Sequence, residues 1–525
     1  MSASDQNTMD RRRALAVGGS VAGGLITASA GVMSPAMSEA ADGSGSSGLV
    51  LEGVTIVDTH DGKLRHNMTV VIDKGKISRI APAGSIVAGP LAKTIDARGK
   101  YVVPGFLDLH AHPLSTSDPE GSLTLLLANG VTGFREMAAW GPMLEARRQG
   151  KLMPHIPAPE LLEMAGEILT PGNAATPALA VAEVQRQQAM GADFIKVIDY
   201  SPEVFFAVAV ECRRSNIRFI GHLSPTVDVR EAARVGIKSI EHMGPRDSIL
   251  LGCSTDEAAL RPVAVQIAPK PPAAPSGPIP PDVIARSVAN PTLSTSAAEY
   301  IRYQKVIDTF SDAKARDLAA HFVAAGTWNV PTLIRIRTMA VGDDEQYRND
   351  PNLRYVPAQT RQMWEDVSQQ FSAKIPPAQR ETLKALYALS AKLVKPFKDA
   401  GVQMMTGSDL GGGFVVAGFG LHQEFDMLAA AGLSPLDVLQ MTTLNGARFL
   451  GREATMGSVA VGKDANLVLL DANPVASVAN LHRIAAVVRD GTYHSAEALA
   501  ALKKKTADRV AAAVAFTGPG RPPCC

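Results

Sequence analysis

Val102-Val103-Pro104-Gly105-Phe106-Leu107-Asp108-Leu109-His110-Ala111-His112 is the stretch from which the rest of the chain can be read. A Pro-Gly pair punctuates the backbone, a short apolar run follows, and the run ends in two histidines two residues apart. In extended backbone, residues i and i+2 point to the same side. Both imidazoles can therefore reach one metal ion at the strand's C-terminal end. A bare His-x-His triplet is common on protein surfaces; its place at the end of an apolar strand gives this one its weight.

Working outward, short apolar runs of the same kind recur through residues 104–452, at 106–109, 133–136, 160–164, 194–197, 218–221, 239–241, 328–332 and 403–406. Amphipathic stretches such as 201–216 and 227–236 lie between them. Eight strands alternating with helices predict an α/β fold of parallel strands, and eight is the number that closes a (β/α)8 TIM barrel. The flanks read differently. Residues 49–103 and 453–494 carry β-branched alternation broken by His60-Asp61-Gly62, Asp73-Lys74-Gly75 and Asp490-Gly491, which predicts a small β-sandwich formed by both chain ends. Residues 495–525 complete the chain as a helix and tail. A proline-rich insertion, 268–282, breaks the barrel rhythm after the sixth strand, on the face where substrates enter.

Four further residues at or near barrel strand ends invite chemistry. Lys196 lies in Asp-Phe-Ile-Lys-Val, where a free ammonium is costly unless something compensates it. It could snorkel to the strand end, or its amine could capture CO2 as a carbamate and so become an anionic bidentate ligand. His222 ends Phe-Ile-Gly-His, His242 ends Ser-Ile-Glu-His, and Asp409 ends Met-Thr-Gly-Ser-Asp. The spacing from Lys196 to His222 and on to His242 fits one strand–helix unit each. With His110 and His112 these make a six-ligand set from five strands, suited to zinc first and to manganese, cobalt or nickel as well. His422, on a helix after Asp409, reads as structural.

This set resembles the amidohydrolase superfamily, in the branch with two metals bridged by a carboxylated lysine, and within it the imidazolonepropionase-like and prolidase-like amidohydrolases. The resemblance extends over Gly-Val-Thr-Gly-Phe-Arg-Glu-Met (130–137), Gly-Ala-Asp-Phe-Ile-Lys-Val (191–197), residues 434–451 and Gly-Lys-Asp-Ala-Asn-Leu-Val-Leu-Leu-Asp-Ala-Asn-Pro (462–474). It implies His110 and His112 on the more buried of two divalent metals, His222 and His242 on the other, the Lys196 carbamate bridging both, and Asp409 on the buried metal. It further implies a hydroxide held between the metals as nucleophile, with Asp409 carrying its proton to the leaving group. Departures fall where substrate choice is made: Lys151-Leu152-Met153-Pro154-His155 stands where many relatives have Gly-Pro-Arg, and the proline-rich insertion is unlike them.

Composition narrows the partners. The 525 residues carry a formal charge of +1, with 20% charged and 5% aromatic residues, and nothing in that balance suggests nucleic acid or a polyanionic partner; the small-molecule substrate is what the resemblance implies. Asp10-Arg11-Arg12-Arg13 precedes a mild apolar run and small residues near Ala40, so residues 1–40 are expected to be a twin-arginine signal peptide, followed by a 41–48 linker. That signal implies the twin-arginine export machinery as a partner and a periplasmic or secreted location. Cys212, Cys253, Cys524 and Cys525 make no disulfide framework, and a homo-oligomer is compatible with the composition.

The expected reaction is hydrolysis of a C–N bond, amide or peptide, in a small substrate. The alternative is ester, lactone or phosphoester hydrolysis at the same site. Deamination of a heterocycle ranks below both, because superfamily deaminases generally use one metal and lack the bridging lysine. A non-catalytic descendant would have lost ligands, and none is missing.

Overall fold

The computed structural model describes residues 48–86, 89, 91–198, 200–243, 246–268 and 281–515. The expected leader, most of the linker, the proline-rich segment 269–280 and the tail with Cys524 and Cys525 lie outside the described residues. Cys212 and Cys253 are buried free thiols. No helix among the described residues is long and apolar enough to cross a membrane.

The two chain ends share one sheet. From the N-terminal side come β1 (Leu49–Val57), β2 (Leu64–Asp73), β3 (Lys76–Pro82), β4 (Lys93–Asp96) and β5 (Tyr101–Pro104). The barrel strands are β6 (Phe106–Ala111), β7 (Val131–Glu136), β8 (Glu160–Met164), β9 (Phe194–Val197), β10 (Arg218–Gly221), β11 (Ser239–Glu241) and β12 (Trp328–Val330), and the other chain end adds β13 (Leu467–Leu470), β14 (Ile484–Arg489) and β15 (Thr492–Ser495). The β2–β3 and β14–β15 hairpins turn at Lys74-Gly75 and Asp490-Gly491, all four residues at positive φ, the mirror-image turn that matches strand twist.

The ladder order β15-β14-β13-β5-β1-β2-β3, with β4 on β1, is one continuous mixed sheet where the sequence suggested a sandwich. The reason is β1, which pairs with β4 along its first half and β5 along its second, stitching the strands together. Alternate residues of β13 serve two cores. Leu467 and Leu469 join the sheet's own cluster with Leu51, Val70 and Ile77, while Val468 and Leu470 join the barrel's.

Strands β6–β8 and β9–β12 are parallel and buried along nearly their whole length, so they read as continuous apolar runs. Bridges Ala165–Phe194 and Leu169–Val197 join the two sets, and Asn329–Met404 and Ala111–Leu410 carry the ring back to β6. The barrel is therefore TIM-barrel-like, with its eighth position irregular. The run 403–406, expected as a strand, makes a single bridge at Met404 before Gly407 and a positive φ at Asp409 end the ladder. Likewise β12 stops at Val330, because Pro331 has no N–H to give and Thr332, at φ 44°, starts the helix Leu333–Ala340. The C-terminal helix Ala496–Ala515 lies against the helix Pro119–Ala128, with Arg509 paired to Asp118 at 2.6 Å.

Candidate metal centre

Five strand-end residues and the loop that carries Asp409 bring all six sequence-predicted residues into one cluster. His110 is fully buried at the end of β6, and its Nε2 lies 3.2 Å from Asp409 Oδ1 and 3.1 Å from Lys196 Nζ. His112, just past the strand, is partly exposed and puts Nε2 3.5 Å from the same carboxylate oxygen. His242 Nε2 is 3.9 Å from Asp409 Oδ2, and the His222 ring lies 4.7 Å from that of His242, centroid to centroid. His110, His242 and Asp409 each offer a donor atom within 4.8 Å of the others. His422 takes no part; its Nε2 bonds the carbonyl of Asn129.

Asp409 is not on a strand, as the sequence suggested, but on a loop pinned from below. Its own N–H donates to His110 O at 2.7 Å, and Ser408 donates to Asp108 through N–H (3.0 Å) and Oγ (2.6 Å). Burial pushes the Asp108 carboxyl up to about 7 despite those bonds. Burial also pushes Asp409 upward, but the neighbouring His242 and His110 more than offset it and hold the carboxyl well below its usual range.

Four residues that the sequence did not point to orient the candidate ligands. Glu241 Oε2 accepts from His110 Nδ1 at 2.6 Å. Thr332 Oγ1 lies 2.6 Å from His242 Nδ1 while donating to Pro331 O at 2.8 Å, so it must accept from the ring, which leaves Nε2 bare. Glu136 stands 3.6 Å from His112 Nδ1 and accepts the Leu114 N–H at 2.9 Å. Arg335 Nε meets Asp409 Oδ2 at 3.2 Å while its other nitrogens donate to the carbonyls of Ala289 and Val288. Glu241 had a readable signal: an acid inside the apolar run Ser-Ile-Glu-His is as conspicuous as Lys196.

The residues fit a metal. Two histidines have Nδ1 committed to an outer partner and Nε2 turned inward, the usual arrangement of ligating imidazoles. His222 Nε2 is buried without a hydrogen-bond partner, an orphan atom that costs free energy unless something coordinates it. Burial keeps His222 and His242 well below the usual histidine range, helped by repulsion from His242 and Lys196 at the first and from His110 and Lys196 at the second, hence neutral as ligands must be. Burial lowers the Lys196 amine as well, and the hydrogen bond its Nζ makes is to a histidine nitrogen.

The amidohydrolase family model matches residues 390–493. The fold is similar to that of a bottromycin amidohydrolase (TM-score 0.62, 22% identity, 89% of this chain and 92% of that one) and of an Xaa-Pro dipeptidase solved with methionine in its active site (TM-score 0.57, 17% identity, 85% and 100%). Over residues 390–493 the chain is thus similar to the amidohydrolase family, and its fold is that of both structures. Adenine deaminase 3 of Rhizobium johnstonii is 32% identical over 143 residues, 23% of this chain and 23% of the deaminase. The chain thus matches under a quarter of that curated relative's length.

Glu241→Gln is expected to cut metal affinity about 10- to 100-fold, because the amide can no longer take the His110 Nδ1–H as a charged acceptor. Metal titration followed by calorimetry reads this directly.

Proposed function

We propose that the chain is a metal-dependent hydrolase of a C–N bond, amide or peptide, in a small substrate. In this reading His110, His112, His222, His242 and Asp409 hold two divalent ions, with Lys196 between them as its carbamate. The observation that carries it is the convergence of the His110, His112 and His242 Nε2 atoms on the one Asp409 carboxylate at the mouth of the barrel. Ions bound there, zinc or else manganese, cobalt or nickel, supply a hydroxide nucleophile near neutral pH and polarise the scissile carbonyl.

The chain's own residues do the remaining work. Asp409 would take the proton from the attacking water and hand it to the leaving nitrogen, a role supported by its being partly open where Glu241 and Glu136 are fully buried. Arg335 fixes the rotation of that carboxylate from the side opposite His110 and His112, holding Oδ2 while Oδ1 faces the two imidazoles. Glu241, Thr332 and Glu136 hold the three rings, so little reorganisation is left for the reaction itself. The leader expected at residues 1–40 supports action outside the cytoplasm.

The test is metal analysis of the purified protein together with turnover of matched amide, ester and aminated-heterocycle panels, before and after chelation. About two ions per chain and a roughly thousandfold loss on chelation, restored by added zinc or manganese, are the expected results. Undiminished amide turnover by metal-free protein, or ammonia released from the heterocycles with no amide cleaved, overturns the proposal.

A further inference from the structure

Beside the metal centre lies an open-mouthed cavity with about 120 Å³ of accessible space. Its walls are the segments that directly follow two of the candidate ligands, Ser115–Ser117 after His112 and Leu410–Gly411 after Asp409. Val288, Met363 and Trp364, from the helices Pro281–Ala289 and Ala358–Lys374, close the far side. The wall meets the centre's residues at Gly411. Gly411, at φ 121°, lines the cavity, and a Cβ added there would stand 3.3 Å from His112 Cβ.

The lining is apolar and its rings are fixed. Trp364 packs against Phe414 with centroids 5.5 Å apart, and Tyr355 stacks on Phe419 at 5.6 Å and 12°. The polar groups in the wall already answer one another. Thr116 and Ser122 hydroxyls lie 2.9 Å apart, Ser117 and Thr360 hydroxyls 2.8 Å, and Asp118 is taken by Arg509 and the Gly121 N–H. A charged group entering here would lose water and find its candidate partners engaged, whereas an apolar group would lose nothing.

We propose that this cavity is the subsite for an uncharged, bulky apolar substituent, best an aromatic ring, carried by the substrate whose C–N bond reaches the metal centre. The proposal rests on the hydrolase reading of that centre and adds the substrate class: small amides with a large apolar group beside the scissile bond. Preformed rings recognise a planar group at little cost in side-chain ordering.

Two arms test it on the full-length protein. In the first, a two-by-two set of N-acetylated dipeptide amides carries glycine or phenylalanine on either side of the scissile bond. Phenylalanine on one side is expected to raise kcat/KM about a hundredfold over glycine. Thr360→Lys, which brings an ammonium to the rim, should lower the phenylalanine compounds at least about tenfold more than the glycine ones, and Trp364→Phe should fall between. In the second arm, 3-phenylpropanol and propanol are titrated against intrinsic fluorescence, with no turnover needed. Phenylpropanol saturating wild type but not Thr360→Lys supports the subsite even if no amide is cleaved, an outcome that would sink the hydrolase reading alone. Equal kcat/KM for glycine and phenylalanine on both sides, or equal binding of the two alcohols, overturns the subsite while leaving hydrolysis standing.

Discussion

Replacing Lys196 by alanine or methionine is expected to lower kcat/KM by three to four orders of magnitude, about 4–5.5 kcal/mol of transition-state stabilisation, and to take metal content below two ions per chain. The side chain is 2% exposed, in a strand buried at every residue. Its Nζ meets His110 Nε2 at 3.1 Å, and the carboxylates of Asp409, Glu241 and Glu136 act on it only through longer-range charge. An ammonium so placed is poorly compensated. A carbamate, formed when the neutral amine adds to CO2 and releases a proton, reverses the sign of the charge and presents two oxygens to the surrounding imidazoles.

The stability readout separates this from a merely structural lysine. If Lys196 served the fold, its loss would lower the melting temperature of metal-free protein. If it serves the metals, metal-free Lys196→Met, which refills the volume, should melt within a few degrees of wild type because a buried cationic group has been removed and a packed apolar one inserted. Short carboxylic acids such as acetate or propionate, diffusing into the Lys196→Ala cavity, should restore part of the activity and none in Lys196→Met, where no room remains. Wild-type turnover in Lys196→Ala would end the bridged-metal proposal.

The candidate site residues were legible because parallel barrel strands are buried on both faces. Seven apolar runs ended where the sequence suggested, within a residue or two, and any polar residue inside or at the end of such a run stands out. The eighth run misled because apolarity does not distinguish a strand from the backbone of Gln403–Leu410, which must leave β12 and return to β6 through glycine and a positive φ. The mixed sheet of the two chain ends was also hidden. Alternation marks which residues face a core, but only pairing shows that β5 lies between β1 and β13. Arg335 and Thr332 were beyond reach for a related reason: they meet Asp409 and His242 through tertiary contacts between segments far apart in the chain, with no periodicity to mark them. Glu241 is the exception, since its neighbours Ile240 and His242 already marked a buried strand end.

Gly221 should tolerate alanine worst of the glycines near the site. At φ 142° it occupies backbone that L side chains rarely adopt, and a Cβ there would lie 2.2 Å from Val197 O and 2.8 Å from Val197 N. Those atoms are backbone in the neighbouring strand, paired in register with Gly221, so they cannot swing aside as a side-chain end could. Overpacking of this kind costs about 1–3 kcal/mol and the disfavoured φ about 1–3 more. The clash also acts on chemistry, because His222 N–H donates to that same Val197 oxygen at 2.9 Å and the ring follows its backbone. Gly221→Ala is therefore expected to lose roughly 3–5 kcal/mol and a large part of its metal content together. Gly236→Ala is the matched control: its φ is 98°, yet nothing lies within 4 Å of the added Cβ, so it bears backbone strain without the clash. Urea unfolding with metal analysis on both variants decides between the causes. If Gly236→Ala matches Gly221→Ala in stability and both keep their metal, backbone strain alone accounts for the loss, and close approach of β9 and β10 is not what sets His222 in place.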